Sequence, residues 1–286
     1  MMTGKTFSTL CICIFLLFTC SSVMGQSRES ILKSILSENE DAGPGTTEKN
    51  IPENSDDPDP VSGEEEGDAP AAATPDQLAL KTGIELYNSM LYDRALEKFD
   101  EIKKNYPNSP FRDAASTWTG RIYLQRGSYD KALNELSGIP ENSGEYPASL
   151  FLRGEIYTAR GKQVEAIESY KTVSALFPEH ELADDALLMA ARLYLRERQG
   201  TQSLDAVLKI IKYYRDRETI DDAYYWLGEI LMKDPVHKDV ESARKVFQIF
   251  LKRSNDTGNP HFYNSPLKDR AARELKQIES TYFQEE

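Results

Sequence analysis

The chain has 286 residues, 34 basic and 47 acidic side chains for a formal net charge of −13, and a hydrophobic fraction of 40%. The acidic balance, with no basic stripe, argues against nucleic acid as a partner. All three cysteines, Cys11, Cys13 and Cys20, fall within the first 20 residues, so a disulfide framework, a thiolate nucleophile and cysteine-ligated metal are excluded for the rest of the chain.

Residues 1–25 carry a lone Lys5, an unbroken apolar stretch from Leu10 to Phe18, and then small and polar residues. This reads as an export signal, too short to span a membrane. It allows two endings. Val23 and Gly25 flank Met24 in the small-x-small sense, which would release a soluble chain at Gln26. Alternatively, Leu17, Phe18, Thr19 and Cys20 resemble a bacterial lipobox with Cys20 as the lipidated residue. Either route places the protein in the periplasm, free or held at the outer membrane by lipid, and the membrane enters only through that anchor.

Residues 26–36 hold Ile31, Leu32, Ile35 and Leu36 at helical spacing, a short amphipathic segment that either docks on the body or frays. Residues 37–75 are crowded with Glu, Asp, Pro, Gly, Ser and Thr and are expected to be disordered. Twelve carboxylates against the single Lys49 place eleven of the thirteen net negative charges here, leaving the body near neutral. The segment reads as a self-repelling spacer, with an interaction tail for a basic surface as the rival. A coil of 39 residues would span about 35 Å, so a body anchored through Cys20 could work away from the membrane.

From residue 76 to 254 the sequence repeats, in a body of about 210 residues that reads as one large domain. Gly83, Gly120, Gly154, Ala191 and Gly228 are spaced by 37, 34, 37 and 37 residues. Three residues after each lies Leu86, Tyr123, Tyr157, Tyr194 or Leu231. Twelve residues after come Ala95, Ala132, Ala166 and Ser203, with Ala243 delayed by an insertion around Asp234, Pro235 and Val236. A second helix is predicted to start at each of these. Its buried side continues with Phe99, Leu136, Tyr170, Val207 and Phe247, so that small meets large across a tight helix pair. Pro107 and Pro178, each after an aromatic, punctuate helix ends, and Gly127 and Gly161 separate the helices of a pair.

The pattern small, aromatic, Ala, aromatic, Pro resembles the tetratricopeptide repeat in five tandem copies, with GRIYLQRGSYDKAL and GEIYTARGKQVEAI as its best two units. The resemblance implies an all-α fold, a right-handed solenoid of about five helix-turn-helix repeats. Asn255 to Ser265 reads as a loop, and Pro266 to Phe283, with Leu267, Ala271, Leu275 and Ile278 apolar, as a capping helix within residues 255–286.

The resemblance also implies a concave groove lined by the first helix of each repeat, which takes a peptide or a partner helix. Counting along those helices places Ile84, Arg121, Gln125, Phe151, Glu155, Arg192, Arg196, Tyr225 and Glu229 on that face. The Arg and Glu positions could form a ladder of pairs between repeats, each worth at most about 1 kcal/mol when exposed. They could also serve a partner, with aromatics supplying contact area and Arg supplying forked donors. The three histidines, His180, His237 and His261, sit in predicted loops, and Asp184, Asp185, Asp221 and Asp222 sit where helices begin and complement the helix dipole. No phosphate loop, nucleophile elbow or zinc helix occurs, so no enzyme, metal or cofactor is expected and oligomeric state is left open. The strings NYPNSPFRDAA and LFPEHELADDA resemble those of two envelope families: the lipoprotein of the outer-membrane β-barrel assembly machinery and the Tol-associated periplasmic division coordinator. The function implied is a non-catalytic envelope adaptor that binds proteins, with a ligand-binding or transport accessory as the alternative.

Overall fold

The computed structural model describes residues 28–37 and 73–283. The expected export signal with Cys20, and most of the acidic segment, lie outside them. The described residues are helical throughout, with no strand among them, and no described helix is long and apolar enough to cross a membrane. Instead of one body there are two compact units: residues 42–149 form one, and residues 150–286 with residues 1–41 the other. Helical repeats touch mainly their sequence neighbours, which gives a division between repeats a place to fall.

In the first unit, α2 (Pro75–Asn88) pairs with α3 (Tyr92–Asn105), and α4 (Arg112–Gln125) with the short α5 (Tyr129–Ser137). One fact fixes each pair. A Cβ added to Gly83 would lie 2.5 Å from the Phe99 ring, and one added to Gly120 would lie 2.8 Å from Leu136. Real Cβ atoms do not approach so closely, so the missing side chain is what lets the second helix seat its large residue.

In the second unit, α6 (Tyr146–Ala159), whose first turn spans the division, is followed by α7 (Gln163–Leu176). Next come α8 (Ala183–Arg196) with α9 (Gly200–Tyr213) and α10 (Ile220–Lys233) with α11 (Val240–Ser254). The same contact recurs at Gly154 against Tyr170, 2.6 Å, and at Gly228 against Phe247, 2.5 Å. The fourth repeat departs in both members at once. Ala191 replaces glycine, Val207 replaces the ring, and Ser203 Oγ donates to the Ala191 carbonyl at 2.8 Å in a buried setting. A smaller knob tolerates a larger floor.

The second helices begin at Tyr92, Tyr129, Gln163, Gly200 and Val240, one turn before the small residues expected to start them. Those small residues, Ala95, Ala132, Ala166, Ser203 and Ala243, face the first helix and are fully buried or nearly so. In the first four pairs the link between the helices passes through a left-handed residue seven after the repeat-marking position. Gly127 (φ +67°) and Gly161 (φ +72°) take it freely, whereas Met90 (φ 59°) and Arg198 (φ 58°) take it with a side chain. The insertion before α11 is closed by Asp234, whose carboxylate accepts the N–H groups of Val236 at 3.1 Å and His237 at 2.9 Å.

One segment differs from its sequence reading. The run from Asn255 to Ser265 contains α12 (Pro260–Tyr263), and Phe262 is buried with its ring 5.4 Å from both Tyr224 and Phe250. Four residues are too few to show a helical period, which is why the run reads as a loop. Beyond it, α13 (Lys268–Tyr282) lies on α11 and buries Ala271 and Ile278.

The apolar stripe near the amino terminus is docked. Helix α1 (28–37) buries Ile35 and packs Ile31, Leu32 and Leu36 against the core of the second unit. Its flanks run along Leu204, Leu208 and Ile211 of α9, with Tyr224 and Arg253 at one end and Leu231 and Asp239 at the other. Arg28 pairs with Asp205 through both nitrogens, Nη2 to Oδ2 at 2.6 Å. Ten residues are too few for a stable isolated helix, so packing holds this one. Burial of Ile35 alone contributes about 2 kcal/mol, more than the partly exposed ion pair at up to about 1 kcal/mol.

Two stability measurements check this account. Gly154→Ala should lower the unfolding free energy by roughly 1–3 kcal/mol in denaturant titration, because the Tyr170 ring must move. A loss below about 0.5 kcal/mol would show that the contact is loose. Ile35→Asp should leave the body folded but detach α1, so that trypsin cleaves after Arg28 and Lys33 at least about tenfold faster while cleavage in α6 to α13 is unchanged.

Candidate functional site

The first helices present one stripe that is left over once the small residue faces its partner helix: the positions two before, one after and five after the small residue. In the first unit these are Trp118, Arg121 and Gln125. The Arg121 guanidinium lies over the Trp118 ring at 5.1 Å, its Nε has no hydrogen-bond partner, and Gln125 Nε2 donates to the Tyr87 hydroxyl at 2.5 Å. The Trp118 ring meets Tyr87 edge-on at 5.0 Å. Ile84 is half-buried and packs on the core instead.

In the second unit the stripe lines an open cleft of about 760 Å³, formed by α6, α8, α10 and Tyr170. Glu155 comes from α6, Met189, Arg192 and Arg196 from α8, and Trp226, Glu229 and Lys233 from α10. The Arg192 guanidinium lies 5.4 Å from the Trp226 ring centre, across from one first helix to the next. With the Gln163 amide turned so that its oxygen faces Arg196, that oxygen accepts from Arg196 Nη2 at 3.1 Å. Both tryptophans of the chain therefore carry an arginine on the ring. Such contacts are worth about 0.5–1 kcal/mol each where exposed.

Glu229 is 4% exposed. Its Oε2 pairs with Lys233 one turn on, and its Oε1 has no hydrogen-bond partner. Tyr170 is also buried, within reach of the Thr158 hydroxyl, and burial pushes its phenol far above the usual range. Glu155 has a partner of its own.

Two residues expected in the groove are elsewhere. Tyr225 is 1% exposed, its ring packed edge-on against Trp226 and Phe247 and covered by Arg270 at 4.9 Å. Burial and the Glu229 charge push its phenol up to about 12. Phe151 is half-buried, with its ring 5.3 Å from Tyr170 in an edge contact. Both stand three residues before the small residue, a position that turns toward the second helix. The aromatic of the groove is Trp226, one residue further on, which the count along the helix missed. A tryptophan at the same offset in the second repeat, Trp118, is the signal that could have found it. Arg121, Gln125, Glu155, Arg192, Arg196 and Glu229 lie on the stripe, the last as a buried member.

The acidic pairs do stand in the first turns of α8 and α10. Burial acts on them as well. Asp184 is buried and accepts from Thr219 Oγ1 at 2.8 Å, and burial with the neighbouring carboxylates raises Asp185. Burial first, then the Asp221 charge, pushes Asp222 up to about 6, with Arg192 and Arg270 only partly opposing. Of the histidines, His180 Nδ1 accepts the Leu182 N–H at 3.1 Å, His237 bonds Thr201 at 2.9 Å, and His261 is half-buried. Among the described residues no three potential metal ligands converge.

Two tetratricopeptide-repeat family models match, one over residues 80–147 and one over residues 148–180. The chain carries tetratricopeptide repeats. The α8/α9 and α10/α11 pairs continue the same packing beyond the matched residues. A tetratricopeptide repeat protein from Parabacteroides merdae superposes with a TM-score of 0.51 at 16% identity, over 72% of this chain and 79% of that one, and shows the shared fold. The crystal structure of MamA protein aligns over 74% of this chain and 97% of its own at 15% identity, TM-score 0.48. A thermophilic protein with these repeats from Thermus thermophilus aligns over 71% and 98% at 16% identity, TM-score 0.45. A comparison with curated protein sequences returns no match.

The acidic pair gives a pH prediction. Asp222 has a folded pKa of about 6 against an unfolded value near 3.9. Between these the native state binds the extra proton, so stability falls as pH rises from about 4 to about 6. Asp222→Asn should flatten that slope and add roughly 1 kcal/mol at pH 7, the full shift being discounted for partial exposure. Urea titrations of both proteins at pH 4.5 and 7 read it, and an unchanged slope would refute the burial.

Proposed function

We propose that this protein is a non-catalytic adaptor of the bacterial envelope that binds protein partners along the stripe of its first helices. Tetratricopeptide repeats generally mediate protein–protein contacts, and the single observation that carries the reading here is the cavity bounded by Arg192, Arg196, Trp226 and Glu229. It combines an aromatic face, two arginines held side-on to the groove and a buried carboxylate, the residue types that concentrate binding energy in interfaces. The envelope part of the proposal rests on the character of residues 1–25. Comparisons with known proteins support neither the barrel-assembly lipoprotein nor the Tol-associated family, so the proposal names the class alone.

The test is crosslinking and affinity capture from intact envelopes with the full chain and with Arg192→Glu/Arg196→Glu, both exposed positions on α8. With helicity and melting unchanged, a partner that binds directly should lose roughly ten- to a hundredfold in affinity. An identical captured set at identical affinity would move the binding surface off this stripe.

A further inference from the structure

The cavity of the second unit contains one group whose environment specifies its ligand. Glu229 projects from α10 with 4% of its surface exposed, and its Oε1 makes no hydrogen bond. A buried carboxylate with an empty acceptor is expensive to keep, and partners are normally found for such groups. Its one cation, Lys233, sits on the same helix four residues on and is itself exposed, so it reaches in from the rim and leaves half the carboxylate unserved. The other cations of the cavity are engaged elsewhere: Arg192 on the Trp226 ring and Arg196 with Gln163. The cleft that Glu229 lines also has an apolar and aromatic part, made by Tyr170, Leu193, Leu195 and Trp226. Further along the same helical faces, seven residues before Arg192 and before Glu229, stand Asp185 and Asp222. The stripe therefore runs from carboxylates through an arginine-capped indole to a buried carboxylate.

Resting on the protein-binding reading above, we infer that this cavity recognises a lysine or arginine side chain of the bound segment. The aliphatic stem lies on Trp226 and the leucines, and the cationic head donates to Glu229 Oε1 from the side opposite Lys233. The charge arithmetic favours this over an acidic partner, because the two arginines that would meet a carboxylate already hold a ring and an amide, whereas the carboxylate oxygen holds nothing. A long amphipathic cation is also the one natural side chain that satisfies both the apolar wall and the anion.

The chain has two tryptophans, which supply the assay. In full-length protein with 15N-labelled tryptophan, two indole N–H signals report Trp226 in the cavity and Trp118 outside it. The probes are three capped pentapeptides, Ala-Leu-X-Leu-Ala, with X as lysine, norleucine or glutamate. The lysine peptide should move the Trp226 signal in a saturable way and leave Trp118 in place, binding at least about tenfold tighter than the norleucine peptide. Glu229→Gln should erase that difference, a tenfold loss that corresponds to about 1.4 kcal/mol. Lys233→Ala should strengthen the lysine peptide by freeing the second Glu229 oxygen, and an unchanged Trp118 signal and melting temperature guard against a fold defect in either variant. If the glutamate peptide binds best and Arg192→Glu abolishes it, the groove reading stands and the cation assignment is overturned. If all three bind equally, the cavity reads only apolar surface and the assignment is again overturned. If none moves Trp226 at millimolar concentration, the cation assignment and the groove reading both fall.

Discussion

Four of the five helix pairs close on the same contact, a large side chain from the second helix seated where the first helix has no Cβ. At Gly83, Gly120, Gly154 and Gly228 the seat is filled by Phe99, Leu136, Tyr170 and Phe247, at distances no real side chain would allow. Glycine inside a helix is unfavourable by about 1 kcal/mol relative to alanine, and burial of an aromatic ring offsets that more than once over. The contact does more than stabilise. By turning one edge of the first helix inward, it decides which edge remains outside the pair.

The chemistry of that stripe shows how a surface rich in charge can stay selective. Cations are laid on aromatic faces, Arg121 on Trp118 in one unit and Arg192 on Trp226 in the other, which keeps them in place without pairing them to carboxylates. The expected ladder of Arg to Glu pairs does not appear at Arg192, whose guanidinium goes to the indole instead. A guanidinium stacks well and is weakly hydrated, so a neighbouring ring competes with a carboxylate for it. The acids are consequently handled by burial, with the cost visible in Asp222 and in the half-satisfied Glu229.

What could be read from the sequence was whatever repeats. Five copies of the same small-to-large pairing made the helical fold legible, even through the altered fourth copy, where Ala191 and Val207 change together. That Arg121, Glu155, Arg192 and Glu229 share one offset on their helices was legible for the same reason. Single features were not. Tyr225 and Trp226 are adjacent, and a rotation of about 100° around the helix separates core from groove; a count along the chain cannot resolve which of two aromatics goes inward. Phe262 lies in a single turn with no period to detect. The acidic pairs were placed correctly at helix starts, yet their electrostatics depend on how deep Asp184 and Asp222 lie, and depth is set by neighbours distant in sequence.

Helix α1 changes the mechanics of the amino-terminal region. The acidic segment follows it, and α1 is fixed to α9 by Ile35, by its apolar neighbours and by the Arg28–Asp205 pair. A load applied to the chain before Arg28 therefore reaches the second unit through the contact of α1 with α9, where the Arg28–Asp205 pair and the burial of Ile35 resist it together.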